Sequence, residues 1–509
     1  MSSKLNSGAD WVVSIIEVLV VVAFKLLAYL ISALLDVGLR LRYEVKHTQT
    51  HTQIPTLPYK FPNGQGDKEK FINGRQNSTA WEGKYGPVYR MWSGMTPEIV
   101  LTRPEDVQTV FKDSDKHTKA LNNDSGYILG ELLGRCVGLI SGSDWKRVRA
   151  VCEGSFLQTK ARDQIPIAQR QTRRHFKRLL EHSQLSKSII DPAKDLKMLP
   201  FWVIAEVLYG PLTPEEEHTL EEMATQRAKL FQHVTTGGIM RFHWSKYLPT
   251  KTNKDLQDFK TCWSRFNATI FERSTDAGYS SPLVEMYKAF RSGKLTLTEL
   301  DQTLDEMLFA NLDVTLGGIS WNLIFLAMYP PQQAQLQNEV LEKRKGSRDD
   351  YTKFNGYLLS NNTYLAACVK ESSRLKPLAA FTVPQAAPTA RVVGGYYIPT
   401  GTNFIVDSYA LNQRNPYWGK DATQFKPERF LERKAHLDRY SFWRFGFGPR
   451  QCMGKFVADV IIKVLLVHLV EEYELRLLES DMVGEWATDP DSWINHPVAT
   501  LRCTKRGAE

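Results

Sequence analysis

Residues 445–454 read Phe445-Gly446-Phe447-Gly448-Pro449-Arg450-Gln451-Cys452-Met453-Gly454, and the apolar run Phe456 to Val470 follows at once. A cysteine here ligates a metal only if its thiolate is stabilised and aimed. Gly448 and Gly454 free the backbone for tight turns and for close approach to a flat group. Arg450, two residues before the thiol, brings a fixed charge and a fork of donors suited to a carboxylate. The apolar run predicts a helix whose first N–H groups point back at the sulfur and lower its pKa. A buried free cysteine in a glycine turn is the plain alternative. The joint spacing of Phe445, Gly448, Arg450, Cys452 and Gly454 favours the ligating thiolate.

This loop resembles the haem-binding loop of the cytochrome P-450 family, F-x-x-G-x-R-x-C-x-G, at all its fixed positions. The resemblance implies that Cys452 is the proximal ligand of haem b, a thiolate that pushes electron density to iron and suits oxygen activation. Further signatures stand in family order. Trp145-Lys-Arg-Val-Arg149 places Trp145 and Arg149 on one helical face. By itself that is an ordinary packing pair; the resemblance implies that both bind a haem propionate, with Arg450 on the other side. Glu371-Ser-Ser-Arg374 is an i,i+3 ion pair, worth little on a surface. In the resembled family it is buried and joined by the Arg of a P-E-R-F segment, here Pro427 to Phe430. Glu371, Arg374 and Arg429 are therefore expected to form a structural triad, and losing one would strand a buried charge.

Composition is that of an ordinary globular protein: 509 residues, 42% hydrophobic and 24% charged. Six scattered cysteines without a C-x-x-C pair argue against a disulfide framework or zinc module. The net charge of +9 is spread along the chain with no nucleic-acid motif, so a basic membrane- or partner-facing surface is the better reading. No nucleic acid is expected. The resemblance implies an NADPH-cytochrome reductase as partner, with a cytochrome b-type protein as a further electron donor.

Residues 11–35 are apolar except for Ser14, Glu17, Lys25 and Ser32. As a helix they span ~37 Å, enough for a ~30 Å hydrocarbon core. Arg40, Arg42 and Lys46 follow, so the positive-inside rule places the rest in the cytosol. The expected division is a short lumenal segment 1–10, a transmembrane anchor 11–35, a stiff proline-punctuated tether 36–65 and one catalytic domain 66–509. This gives a single-pass endoplasmic reticulum protein with membrane lipid around its anchor. The four polar residues fall within about 80° of one helix face, either a contact for another membrane protein or side chains snorkelling to the interfaces.

Strand-like pieces at 88–92, 98–102, 396–398 and 403–407 are few, and helical patterns at 214–232, 298–328 and 363–376 are long. The expected fold is mainly α with a small β region, the P-450 fold behind an N-terminal helix.

The family's oxygen-side helix carries A/G-G-x-D/E-T, and Ala310-Asn311-Leu312-Asp313-Val314-Thr315 occupies that place. Ala310 and Asp313 match. Asn311 replaces glycine, Val314 replaces the expected alcohol, and Thr315 comes one residue late. Oxygen activation needs protons, normally relayed by an acid and an alcohol through water. Thr315 lies i+4 from Asn311, hence on its face. These two are expected to hold the water, with Asp313 admitting protons; the alternative is Thr315 bonded back to the Asn311 carbonyl. Weak proton delivery would suit ring closure, desaturation or coupling. This helix also resembles fungal members that tailor cyclic dipeptides.

The leading expectation is a haem-thiolate monooxygenase that uses O2 and NADPH electrons on a small, largely apolar substrate. Its pocket would be lined by helix 302–328 and the segment Leu378 to Pro384. A reductase-independent hydroperoxide-rearranging haem enzyme and a non-catalytic haem- or ligand-binding membrane protein are the other classes.

Overall fold

The computed structural model describes residues 6–119, 126–347, 351–432, 439–478, 494 and 496–507, with backbone only for 6–18, Asn311 and 351–352. Helices dominate, and among the described residues the strands form sheets of five, three and two strands. Val88–Ser93 and Thr96–Leu101 form an antiparallel hairpin through Gly94, whose φ of +54° suits a two-residue turn. Thr96–Leu101 then runs parallel to Asn403–Val406, which pairs antiparallel with Gln385–Ala386, and that strand with Thr118–Lys119. Val88–Ser93 and Asn403–Val406 are buried along their whole length, so both faces are covered.

The helical core packs Lys455–Glu472 against Ala161–His182. Leu465, Leu466 and Leu469 are fully buried there, as an all-round apolar helix requires. The long pattern at 298–328 is two helices, Leu297–Leu308 and Ala310–Met328. A capping box starts the first: Thr296 Oγ1 accepts from Glu299 N, and the Glu299 carboxylate accepts from Thr296 N. The break falls at Phe309, where the Leu312 N–H reaches back three residues to the Phe309 carbonyl, not four. Neither Gly nor Pro marks this place.

The N-terminal helix runs from Asn6 to Arg42, and its part from Leu19 onward is long and apolar enough to cross a membrane. A second apolar candidate, within Leu297–Met328, is mostly buried core. Residues 36–65, expected as a stiff tether, are folded onto the domain instead. Asp36 Oδ1 accepts from Tyr59 N, Arg40 donates to the Thr56 and Leu57 carbonyls, and Leu39 packs with Tyr59 and Trp92. The prolines do extend the backbone, but the extended segment lines the sheet edge: Leu57 N bonds to Arg90 O and Arg90 N to Pro55 O. In the polar stripe, Ser32 Oγ donates to Ala28 O and accepts from Phe61 N, a contact with its own domain. The side chains of Ser14 and Glu17 lie outside the described residues.

Candidate active site

Cys452 sits in a closed loop. Its N–H donates to the Phe445 carbonyl at 2.9 Å. Gly448 has φ +69°, and a methyl group there would overlap Ser114 Oγ, which donates to the neighbouring Phe447 carbonyl. Gly454 has an ordinary φ of −79° and is the N-cap of Lys455–Glu472; its backbone N–H bonds the sulfur. Burial nevertheless outweighs that bond and raises the thiol pKa, which corrects the expectation of a net lowering. The cations that favour the thiolate are Lys119 and Arg149. The Cys452 residue keeps exposed surface although its thiol is desolvated.

Arg450 is buried and its guanidinium lies 4.8 Å from the Trp145 ring centroid. Its Nη2 donates to Ile140 O at 2.6 Å and its Nη1 to Ser141 Oγ at 3.3 Å. Its Nε is buried and makes no hydrogen bond among the described residues. Burial, then the charge of Arg149, pull its pKa down to about 10. Arg149 itself donates from Nε to Glu153 and from Nη1 to Gln451 O, so its charge reaches the site while its fork is turned to Glu153. Lys119, on the two-residue strand, was not singled out by sequence. Burial and Arg450 lower its pKa, while Glu306, Cys452 and Cys136 act the other way.

Glu371 and Arg374, both with fully buried side chains, meet at 2.7 Å and 2.8 Å. Arg429 Nε reaches Glu371 Oε1 at 3.0 Å, and the Lys426 N–H adds a further bond. Arg374 continues to Asn412 O. Asn412 exchanges two 2.8 Å bonds with the Trp443 backbone, and the Trp443 ring meets Phe447 edge-on at 4.9 Å. A continuous chain of contacts thus links the charge cluster to the cysteine loop.

On the split helix, Asp313 is half-buried and Thr315 is buried. The Asn311 side chain lies outside the described residues. Leu378, just past Pro377, packs on this helix: methyl groups at Gly317 or Gly318 would meet its side chain. Phe445 is half-buried beneath the Arg444 guanidinium, 4.4 Å from its ring centroid.

The Cys452 thiol, the cations Lys119, Arg149 and Arg450 gathered beside it, and the Arg450 Nε that makes no hydrogen bond among the described residues fit a flat metal-bearing group with carboxylate arms. The comparisons agree. The cytochrome P450 family model matches residues 66–497. Cytochrome P450 monooxygenase aclC of Aspergillus oryzae is 50% identical over 470 residues, 92% of this chain and 95% of that protein. Cytochrome P450 monooxygenase asaD of Aspergillus flavus is 46% identical, covering 95% of this chain and 93% of its own length. Cytochrome P450 monooxygenase gliC of Aspergillus fumigatus is 38% identical over 96% of both. Among solved structures, a zebra fish cytochrome P450 determined with progesterone matches at TM-score 0.66 and 19% identity, over 85% of this chain and 99% of that one; it shares the fold. Fold and site define a haem-thiolate protein. This chain belongs to the cytochrome P450 family, and it is a P450 monooxygenase.

Proposed function

We propose that the protein binds haem b through Cys452 and uses NADPH electrons from a membrane-bound reductase, with O2, to oxidise a small apolar secondary metabolite built on a diketopiperazine. The outcome is hydroxylation, epoxidation or oxidative ring formation. When bound, the haem supplies oxygen activation driven by an electron-rich thiolate. The Gly454 N–H and the charges of Lys119 and Arg149 offset part of the burial penalty on the Cys452 thiolate, the rest falling to a bound iron. Arg450 and Lys119 would take the haem carboxylates, with the charge of Arg149 nearby, and the Trp145 ring supports the Arg450 fork. Glu371, Arg374 and Arg429 keep the cysteine loop in register through Asn412 and Trp443.

On the oxygen side, Asp313 takes protons from solvent, and Thr315 with Asn311 orients the water that passes them on. Leu378 and the glycines Gly317 and Gly318 give the substrate an apolar wall. The N-terminal helix anchors the protein in the endoplasmic reticulum membrane with its domain in the cytosol. The protein's basic surface meets the acidic face of that reductase.

The observation carrying this reading is a half-buried acid, Asp313, and a buried alcohol, Thr315, on the same helix, in a chain whose Cys452 loop keeps every fixed position of the family pattern. Holoprotein with its reductase should consume NADPH only when offered a diketopiperazine substrate, and mass spectrometry should find product with added oxygen or a new ring. Turnover of a hydroperoxide without NADPH would favour the rearranging enzyme instead.

A further inference from the structure

The helix Leu297–Leu308 presents four acceptors on one face, Glu299, Gln302, Thr303 and Glu306, at spacings i, i+3, i+4 and i+7. All four grip the segment 131–138 and its neighbour Arg147. Glu299 takes the Arg135 and Arg147 guanidiniums, and Arg147 above all holds its carboxyl at about 2. Gln302 accepts from Arg135 N and donates to Glu131 O. Thr303 accepts from Val137 N at 3.3 Å, and Glu306 from Gly138 N at 2.9 Å. Glu306 is the innermost rung. It also takes the Cys136 thiol, and its charge acts on Lys119, Arg450 and Cys452. A methyl group on Gly138 would overlap its carboxylate.

Two residues beyond Gly138, the same segment supplies both groups that hold Arg450: the Ile140 carbonyl and the Ser141 hydroxyl. Ser141 Oγ also accepts from Lys119 N at 2.8 Å. We infer that Glu306 is a positioning residue for haem retention: by seating Gly138 it fixes Ile140 and Ser141, and through them the two cations, Arg450 and Lys119, that meet the haem carboxylates. This rests on the haem-thiolate reading and adds to it a residue outside every family signature quoted above. It makes Leu297–Leu308, the helix that directly precedes the oxygen-side helix Ala310–Met328, a brace for the haem's carboxylate arm.

The test is haem transfer from the full-length holoprotein to excess apomyoglobin. Glu306→Ala strands the part-buried Gly138 N–H and should speed haem loss on the order of tenfold. Glu306→Gln, which keeps an acceptor at the same place, should stay within about twofold of wild type. Gly138→Ala should mimic Glu306→Ala. The double variant should be no faster than Glu306→Ala, because the added methyl then has room. If Glu306→Ala fails to accumulate, Gly138→Ala carries the comparison. Haem loss at the wild-type rate in both single variants, or effects that multiply in the double variant, would overturn the inference. The carbon-monoxide spectrum of wild type separates the cases: a thiolate band with unmoved transfer rates sinks only the role of Glu306, whereas a missing band sinks the haem-thiolate reading itself.

Discussion

Glu371 is the residue on which two buried arginines depend. Replacing it with glutamine keeps its shape and removes its charge, leaving Arg374 and Arg429 facing each other inside the protein. Breaking a buried cluster in this way costs about 3–5 kcal/mol. Glu371→Gln should therefore give little haem-containing protein and a lower denaturation midpoint, read from the Soret absorbance as urea is raised. Thr315 is tested differently. Thr315→Val removes the hydroxyl but keeps the shape, so folding should hold while peroxide released per NADPH rises severalfold; unchanged coupling would leave Thr315 a mere packing residue. At this scale the sequence was most legible where a function is written in a few adjacent residues. The cysteine loop and the E-x-x-R pair are local patterns. Lys119 and Glu306 were missed because their partners come through the backbone of distant loops: Gly138 N–H is 168 residues from Glu306. A glycine whose extra methyl would strike a buried carboxylate is the trace this leaves, and it is invisible without coordinates.

The packing of Lys455–Glu472 against Ala161–His182 makes a pH prediction at the level of elements. His468 lies edge-on to Phe176, with ring centroids 4.6 Å apart. Burial depresses its pKa from 6.5 to about 4. The folded state thus holds the ring neutral while the unfolded chain protonates it. The resulting stability is complete above pH 6.5 and is lost as pH falls from there toward 4, up to about 3 kcal/mol in all. His468→Phe keeps the aromatic contact and should flatten the acid limb of a thermal-midpoint curve; an unchanged limb would place the sensitivity elsewhere. The elements themselves were readable where periodicity was long. The break at Phe309 was not, because backbone hydrogen bonding shifts there without a glycine or proline to announce it.

At the scale of the whole molecule, the end of the N-terminal helix is joined to the domain. A stretch rich in Pro, Thr and His reads as a linker by composition, yet its extended backbone lies on the sheet, and Asp36, Leu39 and Arg40 join the helix end to it. Truncation before Ile31 should therefore yield a stable, more soluble protein. Truncation before Lys46 should lower the thermal midpoint by several degrees, since it strips Leu39 from Tyr59 and Trp92 and exposes the Arg90 guanidinium, whose Nη1 bonds the Tyr43 carbonyl. Equal midpoints would make 36–45 dispensable. The family fold could be expected from the order of the signatures; how the chain enters it could not, because the contacts that seat the N-terminal helix are between single residues of unremarkable type. All of this depends on a sulfur–iron bond at Cys452. The most direct measurement is the absorption spectrum of the reduced holoprotein under carbon monoxide, beside Cys452→His. Wild type should show the far-red-shifted Soret band of thiolate-ligated haem, and the variant should lose it while keeping some haem; a wild-type spectrum of nitrogen ligation, or protein that takes up no haem at all, would contradict the account.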